Sequence, residues 1–408
     1  MKRVVITGMS AITALGDDWQ TFKNALDKGE NAVQVIDAWK SMDGLNTQIA
    51  APINHFKKPS HYNRKKTRSM GRVSLMATRA TELALDEANL LESEDLTNGN
   101  TGISYGSSIG STSPLQAFGS MLTNNNMNGV TATSYIQMMS HTAPVNVGVY
   151  FSLKGRVITT SSACTSGSQG IGYAYEAIKF GRQKIMVAGG AEELCVTEAA
   201  VFDTLFATSI KNDTPKLTPR PFDKDRDGLV IGEGACSLIL EDLDHALERG
   251  ATIYAEIVGF GCNSDGKHVT QPTAVTMQIA MEKALSDANL SNKDIGYVNA
   301  HGTATDRGDI AESNATAKAI GKVPFSSLKS YLGHTLGACG SIEAWATINM
   351  MNDNWYAPTI NLENIDPECG DLDYIIGAAR EIKNEYVMSN NFAFGGINTS
   401  LIFKRWNS

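Results

Sequence analysis

The chain has 408 residues, of which 42% are hydrophobic and 19% charged, and this is enough apolar material to bury a large core without disulfides or metal sites. Its net charge of −8 argues against general binding to nucleic acid, which requires a basic surface. Its six cysteines form no C-x-x-C pair, which favours a reducing compartment. The apolar run at the N-terminus is too short for a signal peptide and no stretch is long enough for a membrane span, so we expect a cytoplasmic protein.

Short β-branched or apolar runs that end in turn residues predict strands along the whole chain. They cover residues 4–8, 101–106, 157–160, 184–190, 253–259, 295–302 and 386–391. Between them, residues 74–90 and 277–288 have the apolar spacing of amphipathic helices. Strands that alternate with helices indicate α/β layers with a largely parallel sheet. A weak likeness between residues 4–8 and 253–261 suggests that the second half repeats the first.

The sharpest local feature is Cys164, which stands among small residues directly after the predicted strand 157–160. A segment with helical spacing follows and ends at Gly181. At the N-terminal end of a helix, unpaired N–H groups and the helix dipole favour the thiolate, which is the nucleophilic form. Cys164 is therefore a candidate nucleophile, and an inert buried cysteine is the alternative.

Two histidines stand in similar surroundings later in the chain. His301 lies between a predicted strand and a small-residue turn, and His334 lies in a glycine-rich segment. Either histidine alone is most simply explained as structural. Together with Cys164 they supply a nucleophile and two ring N–H donors, which suits thioester chemistry. Lys329 and Glu343 flank His334, either as a buried pair that orients the imidazoles or as a surface salt bridge.

Two other motifs indicate different chemistries and are rejected. Residues 106–110 fit the G-x-S-x-G of serine hydrolases, but Pro114 follows where a helix should begin. Residues 223–228 open like a calcium loop, yet Gly234 stands where the pattern requires glutamate. We expect residues 220–234 to form a salt-bridged turn instead. No zinc-ligand spacing or phosphate-loop motif occurs in the sequence, so we expect neither a metal nor a nucleotide.

Two further segments have candidate roles. The Gly395-Gly396 turn after residues 389–394 either directs a backbone N–H to a reacting oxygen and acts as a gate, or is a plain β-turn. A basic segment stands out in this acidic chain. It is either a solvated face or a docking surface for an acidic partner, and its members are Lys57, Lys58, Arg64, Lys65, Lys66, Arg68 and Arg72.

From end to end, the order and spacing of these motifs resemble the elongating β-ketoacyl-acyl-carrier-protein synthases of the thiolase superfamily. The matching segments are residues 162–167, 220–223, 227–228, 232–234, 300–303, 333–334 and 394–396. The resemblance implies a thiolase-like α/β fold of five αβαβα layers, made of two duplicated halves that we place at residues 1–250 and 251–408. It also implies a dimer that works with acyl carrier protein and needs no cofactor beyond the carrier's phosphopantetheine arm.

The resemblance also implies roles for individual residues. Cys164 receives the acyl chain, and His301 and His334 bind the malonyl thioester and promote loss of carbon dioxide, supported by the Lys329–Glu343 ion pair. Thr303 and Thr305 match hydroxyls that bond the pantetheine arm, and Phe394 matches a gating aromatic whose N–H shares an oxyanion hole with that of Cys164. Ile109 matches a residue that guards the acyl pocket. The residues that match carrier-docking positions are Arg64, Lys65, Arg68 and Lys211.

Within that family, two histidines rather than a histidine and an asparagine indicate an elongating enzyme, and Cys164 argues against the catalytically silent chain-length-factor relatives. Asp306, Tyr331 and Cys339 differ from the usual residues of fatty-acid enzymes. The chain looks closest to ketosynthases of bacterial aryl polyene clusters, which work with a chain-length-factor-like paralogue, so a heterodimer is expected. The alternatives are a homodimeric fatty-acid elongase and a non-catalytic subunit.

Overall fold

The computed structural model describes residues 1–407, and strands alternate with helices along them. The strands are β1 (Val4–Ile12), β2 (Gln34–Val35), β3 (Ile49–Ala51), β4 (Thr101–Gly106), β5 (Val157–Thr160), β6 (Ile185–Glu192), β7 (Ile231–Gly232), β8 (Gly234–Asp242), β9 (Ala255–Ser264), β10 (Ile295–Asn299), β11 (Pro324–Ser326), β12 (Trp355–Tyr356), β13 (Asp373–Tyr374), β14 (Arg380–Glu381), β15 (Tyr386–Ala393) and β16 (Ile397–Arg405). The helices are α1 (Trp19–Asp27), α2 (Arg64–Thr67), α3 (Arg72–Glu87), α4 (Ser113–Asn124), α5 (Ser134–Met138), α6 (Thr142–Phe151), α7 (Ser166–Lys179), α8 (Val196–Asp203), α9 (Leu243–Glu248), α10 (Ala274–Ala288), α11 (Asp306–Ala319), α12 (Lys329–Leu332) and α13 (Cys339–Asp353). Each of the seven predicted strands and both predicted amphipathic helices are present, which confirms the periodicity-based prediction.

Eleven strands form one sheet in the order β13-β11-β10-β15-β16-β9-β1-β8-β6-β4-β5. From its middle, where β1 and β9 pair antiparallel with Val4 opposite Ile257, two sets of five strands run outward in equivalent order, and β13 adds one more strand beyond β11. In each set the two inner pairings are antiparallel and the two outer ones parallel. The second half therefore repeats the architecture of the first.

The sheet is mixed rather than largely parallel, which corrects the sequence-based prediction. β8 and β16 each run antiparallel to both of their neighbours. For β16 the reason is local, because the short turn at residues 394–396 joins it to β15 as a hairpin, and a hairpin connection forces antiparallel pairing. Apolar periodicity predicts that a strand exists but does not report its direction.

Five layers follow from the way the helices pack. α7 and α13 contact each other and the strands of both halves, and a single core cluster joins Ile171 of α7 and Trp345 of α13 to strand residues from both sides. α3 packs on the outer face of the first half, and α10 and α11 cover the outer face of the second. The predicted thiolase-like αβαβα architecture is confirmed.

Two glycines allow helices to approach the central strands closely. A Cβ at Gly8 of β1 would clash with the backbone oxygen of Ala84 in α3, and a Cβ at Gly261 of β9 would clash with that of Ala280 in α10. These equivalent contacts on the two sides of the sheet leave no space for a side chain. The close packing of α3 on β1 and of α10 on β9 explains why glycine stands at both positions.

Replacing Gly261 by alanine should therefore destabilise the protein. Because backbone atoms cannot yield as a flexible side chain can, we expect the free energy of unfolding to fall by about 1–3 kcal/mol, as measured by urea denaturation. Gly119 in α4 has nothing within 4 Å of its would-be Cβ. Gly119→Ala should therefore raise stability by about 0.5–1 kcal/mol as a helix-favouring change. Equal stability of the two variants would contradict the packing explanation.

The segment 220–234 forms the predicted salt-bridged turn. Arg220 pairs with Asp223 at 3.1 Å, and the almost fully buried Arg226 pairs with Asp366 at 2.6 Å and lies 3.7 Å from Asp309. The turn thereby joins the first half of the chain to α11 in the second.

Within residues 1–407, no helix is long and apolar enough to cross a membrane.

Candidate active site

Cys164 lies where β5 gives way to α7, inside a short 3-10 turn over Ala163–Thr165. Ala163 has a φ of 50°, a left-handed conformation that is unfavourable for a residue with a side chain and is typical of functional sites. The turn leaves Cys164 only 5% exposed, on the wall of a cavity of about 510 Å³ that opens to the surface. The cysteine is thus buried yet reachable by a slender substrate.

His334 contacts the cysteine directly. Its Nε2 lies 3.0 Å from Sγ of Cys164, while its Nδ1 accepts the backbone N–H of Leu336 at 3.2 Å. In a neutral imidazole with an accepting Nδ1, the proton is assigned to Nε2, which then donates toward the sulfur. Burial and the charge of Lys329 hold the pKa of His334 well below its ordinary value, so His334 is a neutral N–H donor.

His301 is held in the same way by a different partner. Nζ of Lys329 lies 3.2 Å from Nδ1 of His301 and is ion-paired with Glu343. An ammonium group only donates, so Nδ1 of His301 accepts and its Nε2 carries the proton. Burial, Lys329 and His334 together hold the pKa of His301 well below its ordinary value. One ring nitrogen of each histidine and the sulfur of Cys164 lie within 4.8 Å of one another.

The Lys329–Glu343 pair is buried, so the surface salt bridge is ruled out. The two side chains are 2% and 3% exposed. Burial lowers the pKa of Lys329, but Glu343, Cys339 and Glu312 together outweigh burial and the net shift of this pKa is upward, which keeps Lys329 cationic. Asn391 completes the group, because its amide donates to Glu343 at 2.7 Å and lies 3.4 Å from Nδ1 of His301.

Burial dominates the ionisation of Cys164. It raises the pKa of the thiol to about 11, although Lys329 and the backbone N–H groups of Phe394 and Cys164 itself oppose the shift. The lowering of the pKa that the helix terminus was expected to cause is therefore outweighed. Removing the thiolate from water costs more free energy than its interactions with these groups restore. In the free enzyme Cys164 is a thiol.

This pKa predicts the pH dependence of Cys164 alkylation by iodoacetamide. Because only the thiolate reacts, the rate should rise about tenfold per pH unit from pH 7 to pH 10 without reaching a plateau. Mass spectrometry of the Cys164 peptide would follow the reaction. A plateau below pH 8 would show instead that the site stabilises the thiolate in the resting enzyme.

The Gly395-Gly396 turn brings a backbone N–H toward the sulfur of Cys164. The N–H of Phe394 acts on Sγ of Cys164, and the ring of Phe394 packs on Phe202 with centroids 5.2 Å apart. Gly395 donates to the backbone oxygen of Val269 at 2.7 Å, and the N–H of Asp265 donates to that of Gly396 at 2.8 Å. The turn is therefore tied to the neighbouring segment 265–269 while it presents its donor to the site.

Other candidate residues occupy three separate places. Thr303 and Thr305 line the cavity of Cys164 with their hydroxyl oxygens 2.9 Å apart. Ile109 lines a second and more open cavity of about 520 Å³, together with Met138 and Met139. The proposed docking residues are all at least partly accessible, and within residues 1–407 only Lys211 is ion-paired, with Asp227 at 3.3 Å. The set is Arg64, Lys65, Arg68 and Lys211.

Comparison with known proteins agrees with this geometry. The family model described as "Beta-ketoacyl synthase, N-terminal domain" matches residues 1–246, and "Beta-ketoacyl synthase, C-terminal domain" matches residues 254–363. The chain belongs to the β-ketoacyl synthase family. It is accordingly an acyltransferase of the 3-oxoacyl-[acyl-carrier-protein] synthase type.

The synthase has similar relatives along its whole length. It is 37% identical over 413 residues to 3-oxoacyl-[acyl-carrier-protein] synthase 2 of Vibrio harveyi, covering 99% of each chain. A crystal structure of a β-ketoacyl synthase from Burkholderia phymatum STM815 is 62% identical, with a TM-score of 0.99 and full coverage of both chains. The structure of the ishigamide ketosynthase/chain length factor is 29% identical, with a TM-score of 0.91 and full coverage of both chains.

Two buried carboxylates of α11 shape the site, and sequence reasoning missed both. Glu312 accepts the backbone N–H groups of His301 at 2.6 Å and Gly302 at 2.7 Å. Asp309 accepts those of Thr303 and Ala304, each at 3.1 Å. Burial raises the pKa of Glu312 to about 8 and that of Asp309 to about 7. One sequence signal could have found them: Asp309 and Glu312 stand three positions apart, on the helix face that also carries buried alanines.

The serine-hydrolase alternative fails in this synthase for a reason different from the expected one. Pro114 lies in the first turn of α4, where proline is tolerated, so it does not interrupt the helix. Among residues 1–407, however, the serine of the motif is Ser108, and its buried hydroxyl has no hydrogen-bond partner and so no histidine base. The hydroxyl of the neighbouring Ser107 donates to Glu192 at 2.8 Å. Glu192 also accepts the N–H groups of Ser108 and Gly337, which makes it a brace between the halves.

Proposed function

We propose that this synthase catalyses decarboxylative Claisen condensation of a malonyl unit, borne by a carrier protein, with an acyl chain held on Cys164. The observation that supports the proposal best is the convergence of two neutral imidazole N–H donors on a buried thiol. Two backbone N–H groups act on the same sulfur. Such fixed donors stabilise negative charge that develops on thioester oxygens.

In the first step, the sulfur of Cys164 attacks the carbonyl carbon of an acyl thioester on the carrier arm. A C–S bond forms to Cys164, the C–S bond to the arm breaks, and the thiol proton goes to the departing sulfur. The N–H groups of Cys164 and Phe394 hold the transient oxyanion. Thr303 and Thr305, on the wall of the same cavity, bond the amides of the arm.

In the second step, the malonyl thioester oxygen accepts the Nε2–H groups of His301 and His334. The bond between the α-carbon and the carboxylate breaks, carbon dioxide leaves, and the electron pair remains as an enolate on the accepting oxygen. Lys329 keeps Nδ1 of His301 occupied as an acceptor, so the opposite nitrogen stays protonated. Both imidazoles remain neutral, so neither gives up a full proton.

In the third step, the α-carbon attacks the acyl carbonyl on Cys164. The new C–C bond forms, the oxyanion again occupies the pair of backbone donors, and collapse breaks the C–S bond. Cys164 leaves as a thiolate and takes up one proton from solvent. The product is a β-ketoacyl chain two carbons longer on the carrier arm, and the reaction requires no cofactor beyond that arm.

For the pathway we propose elongation of aryl polyene or related polyketide-like chains. Support comes from the residues that depart from the fatty-acid pattern. One of them, Cys339, is buried beside the nucleophile and donates its thiol to the backbone oxygen of Cys164 at 3.2 Å. The alternative is general fatty-acid elongation, which the similarity to the Vibrio harveyi synthase supports equally.

We also propose a dimer, either with a chain-length-factor-like paralogue or with a second copy. β5 is an edge strand of the sheet and exposes Val157 at 53%, while nearby Val149 of α6 is 69% exposed. Exposed apolar edge strands pair readily with another chain. The similar ishigamide ketosynthase, which was solved with a chain length factor, supports the heterodimer.

The activity is tested by supplying an acyl-carrier protein and then a malonyl-carrier protein. The expected results are an acyl mass increase on Cys164, followed by release of carbon dioxide and a product two carbons longer. Absence of both adduct and product would overturn the proposed reaction and favour a non-catalytic subunit. For the pathway, the protein should be purified from its own host. A co-purifying paralogue without the cysteine would support polyene synthesis, and a homodimer that extends saturated chains would contradict it.

A further inference from the structure

A bulky aromatic side chain is presented to solvent at the mouth of the cavity that holds Cys164. Phe206 is 89% exposed, and it lines the mouth together with Leu205 and Val269, which are 45% and 68% exposed. We call these three residues the mouth collar. Large apolar side chains exposed together are typical of surfaces that bind a partner.

The backbone at Phe206 is also unusual. α8 ends at Asp203, and the chain then closes with N–H bonds from Phe206 to the oxygen of Asp203 and from Ala207 to that of Phe202, each 3.0 Å long. Phe206 has a φ of 52°, the left-handed conformation that glycine usually supplies after a helix. Phenylalanine is unfavourable in this backbone conformation. Because its ring is exposed, it contributes little packing to the core that could offset this strain.

Both features point to a role outside the folded chain itself. A residue in a sparsely populated conformation persists where function requires its side chain. The ring of Phe206 is too exposed to act in the depth of the cavity, so its contact must be with something that covers the mouth. A carrier protein that inserts its arm toward Cys164 has to cover this mouth, because the arm is tethered to it.

We propose that the mouth collar is an apolar docking surface for the body of the carrier protein, with Phe206 as its central contact. The inference rests on the proposed function, which requires a carrier-borne arm in the cavity. Exposed charges of both signs, Arg307 and Asp306, line the same cavity, so the contact at the mouth is assigned to the apolar collar rather than to charge. Docking then has two components: salt-sensitive basic contacts and a salt-insensitive contact at the collar.

Phe206→Gly and Phe206→Asn test the proposal without disturbing the backbone, since both residues tolerate the left-handed conformation. We expect the ratio of kcat/KM for the malonyl-carrier protein to kcat/KM for malonyl-N-acetylcysteamine to fall about tenfold, mainly through the KM for the carrier. The loss should persist at high salt, whereas the loss caused by Lys65→Ala should shrink as salt rises. The matched control is Leu247→Ala in α9, which is 56% exposed away from the cavity mouth and should leave the ratio unchanged.

Three results would overturn the proposal. An unchanged ratio would show that the collar does not contact the carrier. An equal fall with the carrier-borne and the small thioester would place Phe206 in the reaction path instead. A change in sedimentation of the Phe206 variants would show that a second copy of the chain covers the collar. Failure of the proposed function is distinguishable, because the parent protein would then form no Cys164 adduct and no product from either substrate.

Discussion

Replacing Cys164 by alanine should abolish acyl transfer and condensation while malonyl decarboxylation remains measurable. The variant lacks the cavity-lining sulfur that the proposal uses to form the thioester, so condensation should fall ~10⁴-fold or more. The two imidazole donors are held by Leu336 and Lys329, and neither contact involves the sulfur. Mass spectrometry after incubation with the acyl-carrier protein and release of labelled carbon dioxide from the malonyl-carrier protein measure the two activities.

Cys195→Ala is the matched control for this experiment. Its sulfur is partly exposed and lies 3.1 Å from the hydroxyl of Thr197, outside the lining of the cavity that holds Cys164. That variant should take up the acyl group as the parent does. An adduct of undiminished yield in Cys164→Ala would mean that another residue is the acyl acceptor.

The histidine variants should show the opposite pattern. In His301→Ala and His334→Ala, one donor to the enolate oxygen is lost, and we expect decarboxylation to fall by about 10²–10³-fold for each. Acylation of Cys164 should survive in His301→Ala. It should slow in His334→Ala without disappearing, because Nε2 of His334 is the ring nitrogen 3.0 Å from the sulfur.

His55→Ala provides the corresponding control, since this side chain is 47% exposed and bonds Asp17 at the surface. Its decarboxylation and acylation rates should match those of the parent. If acylation and decarboxylation fell together and equally in both active-site variants, the division of roles between the sulfur and the imidazoles would be wrong. Circular dichroism would verify that each variant is folded.

Much of the fold was predictable because its signals are local. Apolar runs gave the strands, helical spacing gave α3, α7 and α10, and the likeness of residues 4–8 to 253–261 correctly indicated a repeated half. Strand direction was not predictable, since it depends on how connections cross the sheet. The predicted cytoplasmic location and the domain boundary near residue 250 stay predictions.

The central residues of the candidate site were predictable from the sequence, whereas the residues that support them were less so. Cys164, His301 and His334 stand in distinctive small-residue segments, and the structure brings all three together. Glu312 and Asn391 bind these groups through contacts between elements. The acidic residues of α11 share a face with buried alanines, but that local pattern does not indicate which groups they bind. The ionisation of Cys164 was wrongly anticipated, because helix position is visible in sequence whereas burial is a property of the whole fold.

Cys164 lies in the first repeat and both imidazoles lie in the second, and the pairing of β1 with β9 joins the two repeats. A protease cut near the exposed Gly250 would leave two fragments, each with an incomplete set of reacting groups. Neither fragment could condense anything alone, and activity would return only when the two had reassociated. The chemistry of this synthase can therefore serve as a split-protein sensor, with formation of the condensation product reporting that its repeats have joined.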